Sequence, residues 1–195
     1  IEIGYHMEGH PDNIVPAILG GCRLSLMEDG RIIDAEVPIP EGLKAVLFIP
    51  DFEMPTQESR AMLPQHIGRS DAVFNIGRVA LLTLALSTGQ LHWLRLGTQD
   101  RLHQPTRGTL FPAMETIIAA ALDAGALGAF LSGGGSTILA LTKGGEPIIA
   151  AAMDRGAEGD LTPRVDESSA DELGMLGSTF NGMLQKLSGM AKKVS

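Results

Sequence analysis

Apolar and polar positions divide the chain into blocks with different periods. Residues 70–88 place Val73, Phe74, Ile76, Val79, Ala80, Leu82, Thr83 and Leu86 at helical spacing. That spacing predicts a long helix, with Ser70 or Asp71 as its cap and Gly89 as its stop. Residues 22–37 alternate loosely about Glu28-Asp29-Gly30, which predicts a hairpin. The run LKAVLFI, residues 43–49, ends at Pro50-Asp51 and reads as a buried strand. Thr56 fits a helix cap, with Pro64 closing that helix. Residues 90–103 read as a further helix with charge and His at its end, and residues 112–124 as one running from Pro112 to Gly125. Residues 126–131 and 137–142 are short apolar runs on either side of Ser132-Gly133-Gly134-Gly135-Ser136, which gives strand, turn, strand. Strands and helices in this order predict an α+β fold, an antiparallel sheet packed by helices.

The two ends follow other patterns. Near the start, a helix-like run carrying Glu8 stops at Gly9. His10-Pro11-Asp12-Asn13 follow, and then an apolar run from Ile14 to Leu19 closed by Gly20-Gly21. Pro11 presets the local backbone of this polar turn. After about residue 145 the chain turns acidic and turn-rich. From Leu173 an apolar 3-4 spacing sets in, through Leu176, Phe180, Met183, Leu187 and Met190. That is the spacing of a coiled-coil seam. Ile1 in place of Met, and a helical pattern running to the last residues, lead to the expectation of a fragment.

Composition narrows the partners. With 195 residues, 44% of them hydrophobic, the chain can bury a core without covalent staples. A net charge of -8 argues against a general nucleic-acid or anionic-membrane surface, while leaving room for a local basic pocket. Cys22 is the single cysteine, which excludes an intrachain disulfide and fits a reducing, cytoplasmic setting. No uninterrupted apolar run reaches the roughly 20 residues of a membrane span, and residues 1–7 lack the basic leader of a signal peptide.

Four clusters carry candidate chemistry. Glu8, His10, Asp12 and Asn13 suit a hydroxylated substrate or a hard cation such as Mg²⁺; they equally suit a plain polar turn. Thr56 and Arg60 share a helical face and can bind a carboxylate, or serve as a cap and a solvated cation. Residues 100–107, DRLHQPTR, concentrate two Arg, a His and an acid, either as a site or as a polar helix end. The loop Ser132–Ser136 can present N–H groups to an anion or simply connect two strands.

Taken together, EGHPDNIVPAILGG, TQESRAMLP, AVFNIGRVALL, DRLHQPTRGTLFP and GALGAFLSGGGSTILAL resemble the homoserine kinases of the GHMP kinase superfamily, in family order, over about residues 1–143. The resemblance implies transfer of the ATP γ-phosphate to the hydroxyl of L-homoserine, in threonine biosynthesis. It implies that His10, Thr56, Arg60 and Arg107 surround homoserine, the two Arg meeting its carboxylate. Asp12 and Asn13 would lie near the reacting hydroxyl, and Glu8 near Mg²⁺, with Glu2 as its rival. Ser132, Gly133, Gly134, Gly135 and Ser136 would support the phosphate side. Gly134 and Ser136 depart from the Ala and Pro more usual there. The phosphate-cradling loop of the type PxxxGLGSSAA is absent, so the expectation is the C-terminal half of such an enzyme, inactive alone.

Residues 157–187, AEGDLTPRVDESSADELGMLGSTFNGMLQKL, resemble a HAMP domain, a parallel helical coiled-coil dimer. The implied organisation is a kinase-like region over residues 1–156 and a helical tail over 157–195. The expected assembly is a homodimer. The competing function is a signalling and dimerisation module in which the kinase-like part is passive.

Overall fold

A computed structural model describes residues 10–52, 54 and 61–158. Helix α1, Pro11–Leu19, leads into strands β1, Cys22–Glu28, and β2, Arg31–Val37. The two strands pair antiparallel, with Glu28 opposite Arg31 across Asp29-Gly30. Both turn residues have positive φ, 50° and 75°, the twist that an Asp-Gly two-residue turn supplies. The expected hairpin is therefore present.

A second antiparallel sheet has the order β3-β5-β4, from Lys44–Phe48, Ile138–Thr142 and Gly128–Leu131 respectively. Its central strand β5 alternates buried and half-buried positions. The sheet packs against α5, Met114–Asp123, and α6, Glu146–Ala157. Ile117, Ile138, Ala140, Ile149 and Met153 are fully buried together. Gly156 lets α6 approach α5, since a Cβ there would sit 3.2 Å from Ala120 Cβ. The expected α+β fold, an antiparallel sheet with packed helices, is thus the observed one. The part of the helical extension after residue 158 lies outside the described residues.

The long helix α2 spans Arg69–Thr88 and ends at Gly89 in the left-handed conformation, as expected. Its cap position is Gly68 rather than Ser70 or Asp71; the N–H groups of Asp71 and Ala72 bond the Gly68 carbonyl. Half-buried Leu82 packs against Gly97 of α3, Leu94–Gly97, where any side chain would meet Leu82 backbone at 2.8 Å. By length and composition α2 is apolar enough to cross a membrane, with a mean hydropathy of 1.2 and 11% of that window buried. Asn75 and Arg78 interrupt the apolar run within it.

Two other expectations change. The segment 43–49 is an edge strand in which only Val46 is buried, while Leu47 and Ile49 face outward. The segment 90–103 is a single 3₁₀ turn, Leu91–Trp93, followed by the short α3 and a loop.

Candidate functional site

The loop in 98–103 exists because Asp100 takes the backbone donors that would otherwise be left at the start of α4, Gln104–Arg107. Its Oδ2 accepts the N–H of His103 at 2.7 Å and of Gln104 at 2.6 Å, and its Oδ1 accepts that of Leu102 at 3.0 Å. A carboxylate that satisfies N–H groups in this way caps the following helix and ends the preceding one. Asn75 of α2 donates to Asp100 Oδ1 at 2.6 Å and accepts the N–H of Arg101 at 3.0 Å. Burial raises the Asp100 pKa, but the bonds from Asn75, Gln104, Leu102 and His103 outweigh it and hold the carboxyl below its ordinary value.

Helix α4 then joins the glycine loop at two points. Gln104 Oε1 accepts the N–H of Leu131, the last residue of β4, at 2.7 Å. Arg107 Nη1 donates to the Gly133 carbonyl at 2.7 Å. Arg107 is only 7% exposed. A guanidinium this buried needs strong acceptors, and the carbonyl of the loop is one.

The loop itself is tightly closed. Ser132 N–H bonds the Thr137 carbonyl at 2.8 Å, and Gly135 N–H bonds the Ser132 carbonyl at 3.0 Å. The Ser136 hydroxyl donates to the Phe52 carbonyl at 2.6 Å. Gly135 has φ +94°, and a Cβ there would lie 2.7 Å from the sulfur of buried Met54, so only glycine fits without strain.

The polar turn at the start of the described residues becomes the first turn of α1. His10 occupies the cap position and Pro11 the first turn. Asp12 there favours the positive end of the helix dipole, and its Oδ1 accepts the Asn13 N–H at 3.1 Å. Asp12 and Asn13 are exposed, whereas Val15 behind them is fully buried. The contacts of α1 run to β1.

Among the expected site residues, the structure joins Arg107 to the loop Ser132–Ser136, and groups His10, Asp12 and Asn13 on α1. The two groups stand on separate elements. Glu8, Thr56 and Arg60, with the rival Glu2, lie outside the described residues. Among the described residues, no three His, Cys, Asp or Glu are grouped to hold a metal.

Arg101 serves another purpose than the cluster DRLHQPTR suggested. Its guanidinium lies 3.9 Å from the Phe74 ring centroid, on the helix that also carries Arg78 at 4.1 Å from that ring. Asp71 is 3.7 Å from Arg101. This stack docks the loop on α2. Asn75 and Gln104 are positioning residues that pattern reading passed over. An Asp four residues before a Gln-Pro helix start is the available signal for their partner Asp100. A cavity of about 340 Å³ beside Asp100, Gln104 and Glu115, and an apolar one of about 440 Å³ between Phe48, Phe52 and Phe111, are lined by neither Arg107 nor residues 132–136.

With this geometry in place, likeness to known proteins becomes specific. Residues 84–159 match the family model for the C terminal of GHMP kinases, and residues 148–189 match that for the HAMP domain. The chain is 47% identical over 149 residues to a homoserine kinase of Thermosynechococcus vestitus, covering 76% of this chain and 48% of that one. It is 47% identical over 141 residues to a homoserine kinase of Caldicellulosiruptor bescii, covering 72% and 46%. The crystal structure of a homoserine kinase from Cytophaga hutchinsonii superposes with a TM-score of 0.72 at 33% identity, over 76% of this chain and 47% of that one. The chain spans about half the length of the relatives it matches.

Proposed function

We propose that this chain, which carries the C-terminal region of a GHMP-type kinase, supplies the homoserine-binding half of an ATP-dependent homoserine kinase. The observation that carries the reading is the 47% identity to homoserine kinases over 149 residues. The buried Arg107, held against Gly133, agrees with it.

In this reading His10, Thr56, Arg60 and Arg107 bind L-homoserine, the two guanidinium groups meeting its carboxylate. Asp12 and Asn13 orient the reacting hydroxyl. The loop Ser132–Ser136 lies toward the phosphates. The donors at α1 and Glu8 are hard oxygens, which suits Mg²⁺. ATP, when bound, supplies the phosphoryl group. This chain's residues then contribute positioning and charge, which provide most of the rate in phosphoryl transfer. The setting is the cytoplasm, and the product feeds threonine biosynthesis.

Titration calorimetry tests the substrate. L-homoserine binds the 195-residue chain, and Arg107→Lys or Arg60→Ala weakens that binding. Unchanged binding in both variants would remove those residues from the site. The chain alone turns over no homoserine with ATP, and measurable turnover would overturn the half-enzyme reading.

A second reading rests on the HAMP match. We assign residues 1–156 to the kinase-like region and 157–195 to a tail that pairs two chains. Ile149 and Met153 of α6 are buried in the sheet's core, so the start of the matched segment serves the kinase-like body. Light scattering on the chain with and without residues 159–195 decides. An unchanged mass would rule out pairing through the tail.

A further inference from the structure

Helix α4 is only four residues long, Gln104–Arg107. A helix of one turn has too few internal bonds to fix its own direction, so side chains must do so. Asp100 holds its start, through the N–H groups of His103 and Gln104. The rest of the anchorage falls on two side chains of α4 itself, Gln104 and Arg107. Three apart on a helix, they share one face.

Both reach the same stretch of chain, with bonds of opposite sense. Gln104 Oε1 accepts the Leu131 N–H at 2.7 Å, and Arg107 Nη1 donates to the Gly133 carbonyl at 2.7 Å. Leu131 is buried and ends β4, an edge strand of its sheet. A buried backbone donor requires an acceptor. The half-buried Gln104 side chain supplies one where, inside a sheet, a neighbouring strand would. One bond alone would let α4 pivot about it. Two, at Leu131 and Gly133, fix its rotation as well as its position, and hence the direction of the guanidinium. Gly108, just after α4, packs so closely on α5 that a Cβ there would lie 3.4 Å from Met114 Cε. That contact limits drift of α4 in the other direction.

From these observations we infer that Gln104 is a positioning residue for substrate, acting through Arg107. Its bond to Leu131 aims the guanidinium that meets the substrate carboxylate, and keeps that guanidinium on the glycine loop. The inference rests on the proposed homoserine site, in which Arg107 binds the carboxylate. A bidentate guanidinium–carboxylate pair depends on angle as well as distance, and a misplacement of about 1 Å is enough to weaken it.

Titration calorimetry of the 195-residue chain with L-homoserine tests it. Gln104→Leu, which keeps much of the bulk and removes the acceptor, weakens binding by roughly tenfold. Gln104→Glu, which keeps an acceptor oxygen, stays within about threefold of the unaltered chain. Gln104→Leu combined with Arg107→Lys binds no more weakly than Arg107→Lys alone, because one effect runs through the other. Ile149→Ala, a core substitution on α6, leaves affinity unchanged and so separates aim from stability. Each variant is measured where circular dichroism shows it folded. Unchanged affinity in Gln104→Leu, no rescue in Gln104→Glu, or additive losses in the double variant would overturn the inference. An unaltered chain that binds no L-homoserine removes the proposed function instead, and hydrogen exchange then tests the aim of α4 without ligand. Faster exchange at the Ser132 and Gly135 amides in Gln104→Leu, and not in Gln104→Glu, retains the positioning role; equal exchange in the two overturns it.

Discussion

The sheet β3-β5-β4 with α5 and α6 is closed, while α1, the hairpin and α2 are open. In the closed part, apolar spacing and burial agree: Ile117, Ile138, Ile149 and Met153 face one another and no water. In the open part, side chains of the same kind at similarly regular spacing face outward, as Leu24, Leu26, Ile33, Val73 and Ile76 do. The difference teaches that periodicity reports which side of an element is apolar, and not whether that side is buried. The glycine loop and Arg107 sit at the join, because Asp100 ties α4 to Asn75 of the open helix, and α4 in turn holds β4 of the closed sheet.

Substitutions at matched positions sharpen that contrast. Ile117→Ala in the closed core lowers unfolding free energy by about 2–5 kcal/mol, read by urea denaturation. Asp100→Ala, which leaves three N–H groups and an amide without their carboxylate, costs roughly 2–3 kcal/mol and loosens α4 in hydrogen exchange. Loss of stability without faster exchange at His103 and Gln104 would show that Asp100 does not organise α4. Gly135→Ala costs about 1–2 kcal/mol from its positive φ.

Acid gives a smaller effect with a definite sign. The Asp100 pKa is lowered from 3.8 in the folded state. Its stabilisation is therefore fully present above that value and fades as pH falls through the lower folded one. Asp100→Asn flattens the acid limb of a stability-against-pH curve; an unchanged limb would show that other carboxylates govern it. Smallest of all, Ile76→Ala in the open face changes stability by less than about 0.5 kcal/mol. A loss as large as that of Ile117→Ala would erase the distinction between the two parts.

Much of the fold was legible in the sequence where the cause is local. Asp29-Gly30 dictates the hairpin turn, Gly89 stops α2, and the glycines of residues 133–135 mark the β4–β5 connection. What escaped depends on distant partners. The segment 90–103 reads as a helix until Asp100, steadied by Asn75 from 25 residues earlier, takes three backbone donors. Residues 43–49 read as buried because nothing local says that β3 lies at the edge of its sheet. The candidate site was legible as clusters of residue types. The structure adds how one of them is built, with Arg107 turned onto the glycine loop and Arg101 onto Phe74.

Native-state hydrogen exchange of the chain measures the two parts directly. The account predicts that the amides of β5 and α5 exchange only by global opening, while those of β1, β2 and α2 exchange through smaller openings. Equal protection of both parts would contradict it.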